Sequence, residues 1–133
     1  MPSIRRMLAI ALVATGLTLP AAGAQAAPMR IVPPPGLHWV GRIIRHDFRI
    51  PLGKDNYHMA MCVAQRESNF DPKAYNPNSG ASGVFQFIPS TWAWASEQAG
   101  YGGASPFRAR PNIGTAAWVV AHYGWQPWGG HCP

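Results

Sequence analysis

Acid is scarce in this chain. Five Asp and Glu stand against eleven Lys and Arg over 133 residues. Only two of the acids are glutamates, Glu67 and Glu97. Cysteine is scarcer still, with only Cys62 and Cys132, which excludes a closed zinc cage built on cysteine alone. The five histidines show no ligand spacing, so the sequence calls for no metal and no cofactor. Long apolar runs are missing too. The longest uncharged one, residues 7–19, is shorter than the roughly 20 residues that cross a bilayer.

That run has a different reading. Arg5 and Arg6 precede it, and Ala24-Gln25-Ala26 follows as a small-x-small signature. Together they describe a secretory signal peptide over residues 1–26, cleaved after Ala26 or Ala24, with a membrane anchor as the competing reading. Without Arg5 and Arg6, nine basic residues face five acidic ones, a net charge of +4. An anionic surface such as a bacterial wall suits that charge. Nucleic acid does not, because the basic residues are scattered and the chain is exported. In an exported chain, an even pair of cysteines points to a Cys62–Cys132 disulfide.

Residues 27–53 form a proline-rich and basic segment. Residues 27–36 read as an extended tether. Residues 37–52 mix Trp39, Val40, Ile43, Ile44, Phe48 and Ile50 with three arginines, which fits an amphipathic helix lying on the domain or on a membrane. From Asp55 the pattern is helical through Glu67, with Asp55 as N-cap. Residues 69–82 are loop, and 83–88 a short strand or extended turn. Ser90 caps a helix to about Gln98, stopped by Gly100. Asn112 caps another over residues 113–123, stopped by Gly124. The expected fold of residues 54–133 is therefore a small, mainly α domain.

Glu67 falls on the apolar side of its helix, in register with Ala60, Val63 and Ala64, near the helix end. Burial disfavours the charged form of a carboxyl, and a carboxyl that keeps its proton is what glycosidic cleavage needs as general acid. Asp71 is the alternative second carboxylate. Asp71-Pro72 instead reads as turn initiation. Ser68 and Ser82 lack the nucleophile-elbow context, and His122 falls on a polar helix face.

The neighbouring residues sharpen this. Glu67-Ser68-Asn69-Phe70, then Gly83-Val84-Phe85-Gln86-Phe87 and Pro89-Ser90-Thr91-Trp92, resemble the soluble lytic transglycosylases. The tail, Tyr123-Gly124-Trp125-Gln126-Pro127-Trp128 to Cys132, is similar to resuscitation-promoting factors, compact lysozyme-like domains with a disulfide from the catalytic helix to the tail. The resemblance implies a lysozyme-like fold and cleavage between N-acetylmuramic acid and N-acetylglucosamine in peptidoglycan strands. It implies Glu67 as acid and then base, supported by Ser68. Gln86, Thr91 and Trp92 would line the sugar site. The family's Ala-Tyr-Asn motif is replaced by Ala121-His122-Tyr123-Gly124, which leaves Tyr123 to hold the Glu67 carboxyl. A hydrolytic muramidase and a non-catalytic wall-binding or secretion-associated module, with a cell-envelope protein as partner, are the alternatives. The location implied is periplasmic or extracellular.

Overall fold

The computed structural model describes residues 30–132, so the leader at 1–26 lies outside the described residues. Five α-helices follow one another: α1 (His38–Ile44), α2 (Ile50–Leu52), α3 (Lys54–Ser68), α4 (Pro89–Gln98) and α5 (Ala109–Tyr123). A π-helical turn at Arg45–Arg49 joins α1 to α2, and a 3-10 turn at Gln126–Trp128 follows α5. No strand forms among the described residues. The irregular segment 69–88 carries two isolated antiparallel bridges, Tyr75 to Ser82 and Ser82 to Phe87. The mainly α, disulfide-stapled domain expected from the sequence is the one observed.

The described part of the expected tether, residues 30–36, packs on the domain. Pro33 is buried, and its ring packs so closely on Gly41 that a Cβ there would lie 2.8 Å from the Pro33 Cγ. Val40, Ile44 and Phe48 are fully buried in the core. Residues 37–52 thus lie on the domain through their apolar stripe. They do not form one regular α-helix, since a π-turn interrupts it at Arg45–Arg49, just before Pro51. Proline has no N–H to give to the carbonyl four residues back, and its ring collides with that carbonyl. The helix widens just before it, as π-turns do.

Helix boundaries differ from the sequence reading by a few residues. Gly53, with φ +89°, precedes α3, which starts at Lys54; Asp55 lies inside the first turn, where its charge favours the helix dipole. Pro89 opens α4 at its first position, displacing Ser90 from the expected cap. The end at Gln98, before a left-handed Gly100 (φ +81°), is as expected. Helix α5 begins four residues earlier than the sequence suggests, so Asn112 is not its cap.

Aromatic rings knit the core. Phe48 stacks on Phe85 (centroids 5.7 Å) and on Trp125 (5.6 Å). Trp128 meets Phe85 and Phe87 edge-on at 5.8 and 5.6 Å. One cluster therefore binds the N-terminal segment, the 83–88 loop and the tail. Such pairs add about 0.5–1.5 kcal/mol each beyond the area they bury.

Candidate active site

Helix α3 ends at Ser68, and the chain reverses through Asn69 and Phe70, both left-handed (φ +50° and +65°). Phe70 is fully buried, which holds this strained pair in place. The reversal leaves Glu67 in the last turn, with its side chain 28% exposed. Ala60, Val63 and Ala64 are buried, as the helical wheel requires. Glu67 shares their side but stands at the rim of the core, so its desolvation is only partial.

Its partner is Arg66. The Arg66 Nη2 and Nε donate to Glu67 Oε1 at 2.8 and 3.0 Å. The same guanidinium donates to the carbonyls of Trp128 (2.7 Å) and His131 (3.4 Å). The tail is fixed in turn by the Cys62–Cys132 disulfide, with a Cα–Cα distance of 6.2 Å. It is also fixed by Trp128 Nε1 donating to Phe85 O (2.9 Å) and Trp125 Nε1 donating to Asn56 Oδ1 (2.8 Å). Arg66 therefore ties the carboxylate to the tail, a role that its sequence position alone did not reveal.

The 83–88 loop is bound to the end of α3. The Ser68 hydroxyl donates to Val84 O at 2.8 Å, with Ala64 O also within reach at 3.1 Å. This links the Glu-Ser and Gly-Val-Phe-Gln motifs physically. Gln86 sits at φ +52°, and its Nε2 donates to Ala74 O (3.1 Å) and Gly83 O (2.9 Å). Its amide hydrogens hold the loop, leaving Oε1 as the side-chain group for any ligand.

Asn112 is the residue missed by sequence reasoning. It is fully buried. Its Oδ1 accepts from Phe85 N at 2.9 Å, and its Nδ2 donates to Ser82 O (3.2 Å) and Pro106 O (2.9 Å). Gly83 passes so close that a Cβ there would lie 2.2 Å from Pro106 O and 2.3 Å from Asn112 Nδ2, at φ +81°. Only glycine fits such an approach.

The remaining expected residues separate into groups. Thr91 is partly exposed in the first turn of α4. Trp92 is 8% exposed; its indole N–H donates to Ala104 O (3.0 Å) and its ring packs on Phe87 at 5.5 Å, so it is a core side chain. Tyr123 makes no hydrogen bond to Glu67. It is 56% exposed and joins Trp94, Trp118 and His122 in a surface aromatic cluster. Asp71 is exposed, and its Oδ1 accepts from Lys73 N at 2.8 Å, which is the turn chemistry expected of it. Among the described residues, no group of three His, Cys, Asp or Glu side chains could hold a metal.

The family model described as "Transglycosylase SLT domain" matches residues 53–126, from the N-cap of α3 to Gln126 in the tail. A probable transglycosylase SceD 3 of Staphylococcus saprophyticus is 45% identical over 64 residues, covering 48% of this chain and 26% of its own length. A probable transglycosylase SceD of Staphylococcus aureus (strain Newman) is 46% identical over 57 residues, covering 43% and 24%. The chain thus spans about a quarter of the length of these curated relatives. No solved structure matches it. With more than half of its residues matched by the one model, and with Glu67-Ser68 and the Asn112-held loop inside the match, the chain belongs to the transglycosylase SLT domain family.

Proposed function

We propose that the protein is an exported peptidoglycan lytic transglycosylase that cleaves the bond between N-acetylmuramic acid and N-acetylglucosamine, with Glu67 as acid and then base. The observation that carries this reading is the convergence at Glu67. A partly exposed carboxyl in the last turn of α3 is braced by Arg66, and the next residue, Ser68, binds the loop that Asn112 also holds.

In the first step Glu67 donates its proton to the glycosidic oxygen, and the C1–O bond of the muramyl residue breaks. The neighbouring N-acetyl group supports the cation that develops at C1. The carboxylate left behind is the species that Arg66 is placed to pair with. In the second step Glu67 takes the proton of the muramyl 6-hydroxyl, whose oxygen closes on C1. The product is a 1,6-anhydro sugar, no water is consumed, and Glu67 regains its proton. Hydrolytic glycosidases normally use two carboxylates. Asp71 is occupied as a turn former, which favours the intramolecular route. Gln86 through Oε1, Thr91 and Tyr123 are the proposed sugar contacts. The disulfide fits an oxidising compartment, periplasmic or extracellular.

The test is to digest purified peptidoglycan and weigh the muropeptides. Anhydro products, one water lighter than reducing ends, are expected. Mainly reducing-end products would make the protein a muramidase, and no cleavage at all would favour a binding module.

A further inference from the structure

Beyond residue 26 the sequence has nine Lys and Arg. Four of them, Arg30, Arg45, Arg49 and Lys54, line a single groove of about 590 Å³, with His58 beside them. No Asp or Glu lines it. The ion pairs among the described residues are His46–Asp47, Arg66–Glu67 and Arg110–Asp47, and none involves a groove cation. A concave site lined by charge of one sign focuses its field into the groove, and in an otherwise sparsely charged chain that is a standing demand for an anion.

Three separate segments supply the cations: the extended N-terminal residues, the π-turn and the first turns of α3. The π-turn has both of its arginines in the wall, at its first and last positions. Ile31, Met59 and Met61 give the groove apolar surface between the charges.

The groove lies on the side of α3 away from Glu67. At about 100° per residue, His58 lies roughly 180° around α3 from Glu67, and Cys62 roughly 140°. The disulfide forms part of the groove wall, so the groove lies behind the catalytic helix. An occupant there leaves the face of Glu67 free.

We infer that this groove binds an anionic chain of phosphodiester-linked units, holding the protein on a phosphate-bearing surface polymer while the opposite face of α3 works on glycan. A chain fits because the site is concave and carries its cations on several walls around apolar surface. A bilayer surface calls instead for a flat or projecting face. That glycan is worked on at the opposite face rests on the proposed role of Glu67, whereas polymer binding in the groove is measured apart from cleavage.

The probe is a defined poly(glycerol phosphate) oligomer, titrated against the exported protein with its disulfide intact and followed by calorimetry. Three proteins are compared: wild type, the triple variant Arg45→Gln, Arg49→Gln, Lys54→Gln, and a charge-matched triple variant Arg42→Gln, Lys73→Gln, Arg108→Gln. All six side chains are exposed, so both variants should fold, as circular dichroism will check. Binding should weaken about tenfold or more in the groove variant, only slightly in the matched one, and steeply with added salt in wild type. Cleavage of phosphate-free glycan should be unchanged in both variants. Equal losses in the two variants would reduce the effect to net charge and overturn the site. So would no binding of the oligomer, or binding to phosphatidylglycerol vesicles with none to the oligomer.

Discussion

Asn112→Asp separates two roles for one buried residue. An asparagine at a helix start is most simply a cap, and aspartate caps equally well, so a cap would tolerate the change. The structure gives Asn112 a different task, on three hydrogen bonds that reach Phe85, Ser82 and Pro106. Aspartate keeps the acceptor for Phe85 N but replaces the donor with a second oxygen, facing two carbonyls at the distances of donor bonds. Each buried group left unpaired costs about 1–3 kcal/mol, and a buried charge costs more. The Asp variant should therefore lose about 3–5 kcal/mol. Asn112→Ala removes all three bonds. It should lose about 3 kcal/mol, after a gain of roughly 0.5 kcal/mol from alanine's better helix propensity. For a domain of this size that lowers Tm by roughly 15 °C. Urea unfolding followed by tryptophan fluorescence, with the disulfide intact in all variants, measures both. An Asp variant within about 0.5 kcal/mol of wild type would refute the reasoning, because it would restore the cap.

Three further outcomes follow from the same geometry. Gly83→Ala should destabilise by several kcal/mol or prevent folding, since its Cβ would sit 2.2 Å from Pro106 O; a stable, active variant in urea and zymogram assays would contradict the close approach. Mass mapping of non-reduced peptides should link Cys62 to Cys132, and reduction should lower stability by up to about 4 kcal/mol in the chain-entropy limit, with an unchanged urea midpoint as the contrary result. Arg66→Gln should leave stability within about 1 kcal/mol, because the ion pair is half-exposed, yet lower kcat about tenfold by freeing Glu67 and the tail. Arg66→Lys should recover only part of that rate, since a single ammonium cannot span both partners, and wild-type kcat in Arg66→Gln would remove the brace from the account.

The helices and the side that faces the core were legible, because a 3.6-residue period survives in Ala60, Val63, Ala64 and Glu67 without tertiary information. Their starts were not. Gly53, Pro89 and Arg108 set them, while Asp55, Ser90 and Asn112, all good caps by residue type, lie inside the helices. Asn112 was misread because its partners lie 6 to 30 residues away, where no local rule reaches. The π-turn at Arg45–Arg49 was not foreseen in the amphipathic helix expected over residues 37–52. The family resemblance implied that Trp92 lines the sugar site, and its burial follows from the Ala104 carbonyl and Phe87 ring that receive it. Glu67 was singled out by its register and its motif, and the structure places it in the last turn of α3 on the side of Ala60, Val63 and Ala64. Its bond to Arg66 was not foreseen, since neighbouring residues on a helix do not ordinarily face one another.

The central claim is that Glu67 is the proton donor and acceptor of the reaction. Purified wild-type and Glu67→Gln proteins, matched in circular dichroism and urea midpoint, are to be compared for release of soluble fragments from peptidoglycan. Glutamine keeps the shape and can accept from Arg66 through its amide oxygen, but it has no acidic proton to give. The rate should fall by about 10²–10⁴-fold with the fold intact. Release within about threefold of wild type would contradict the account, because general-acid loss cannot be that small.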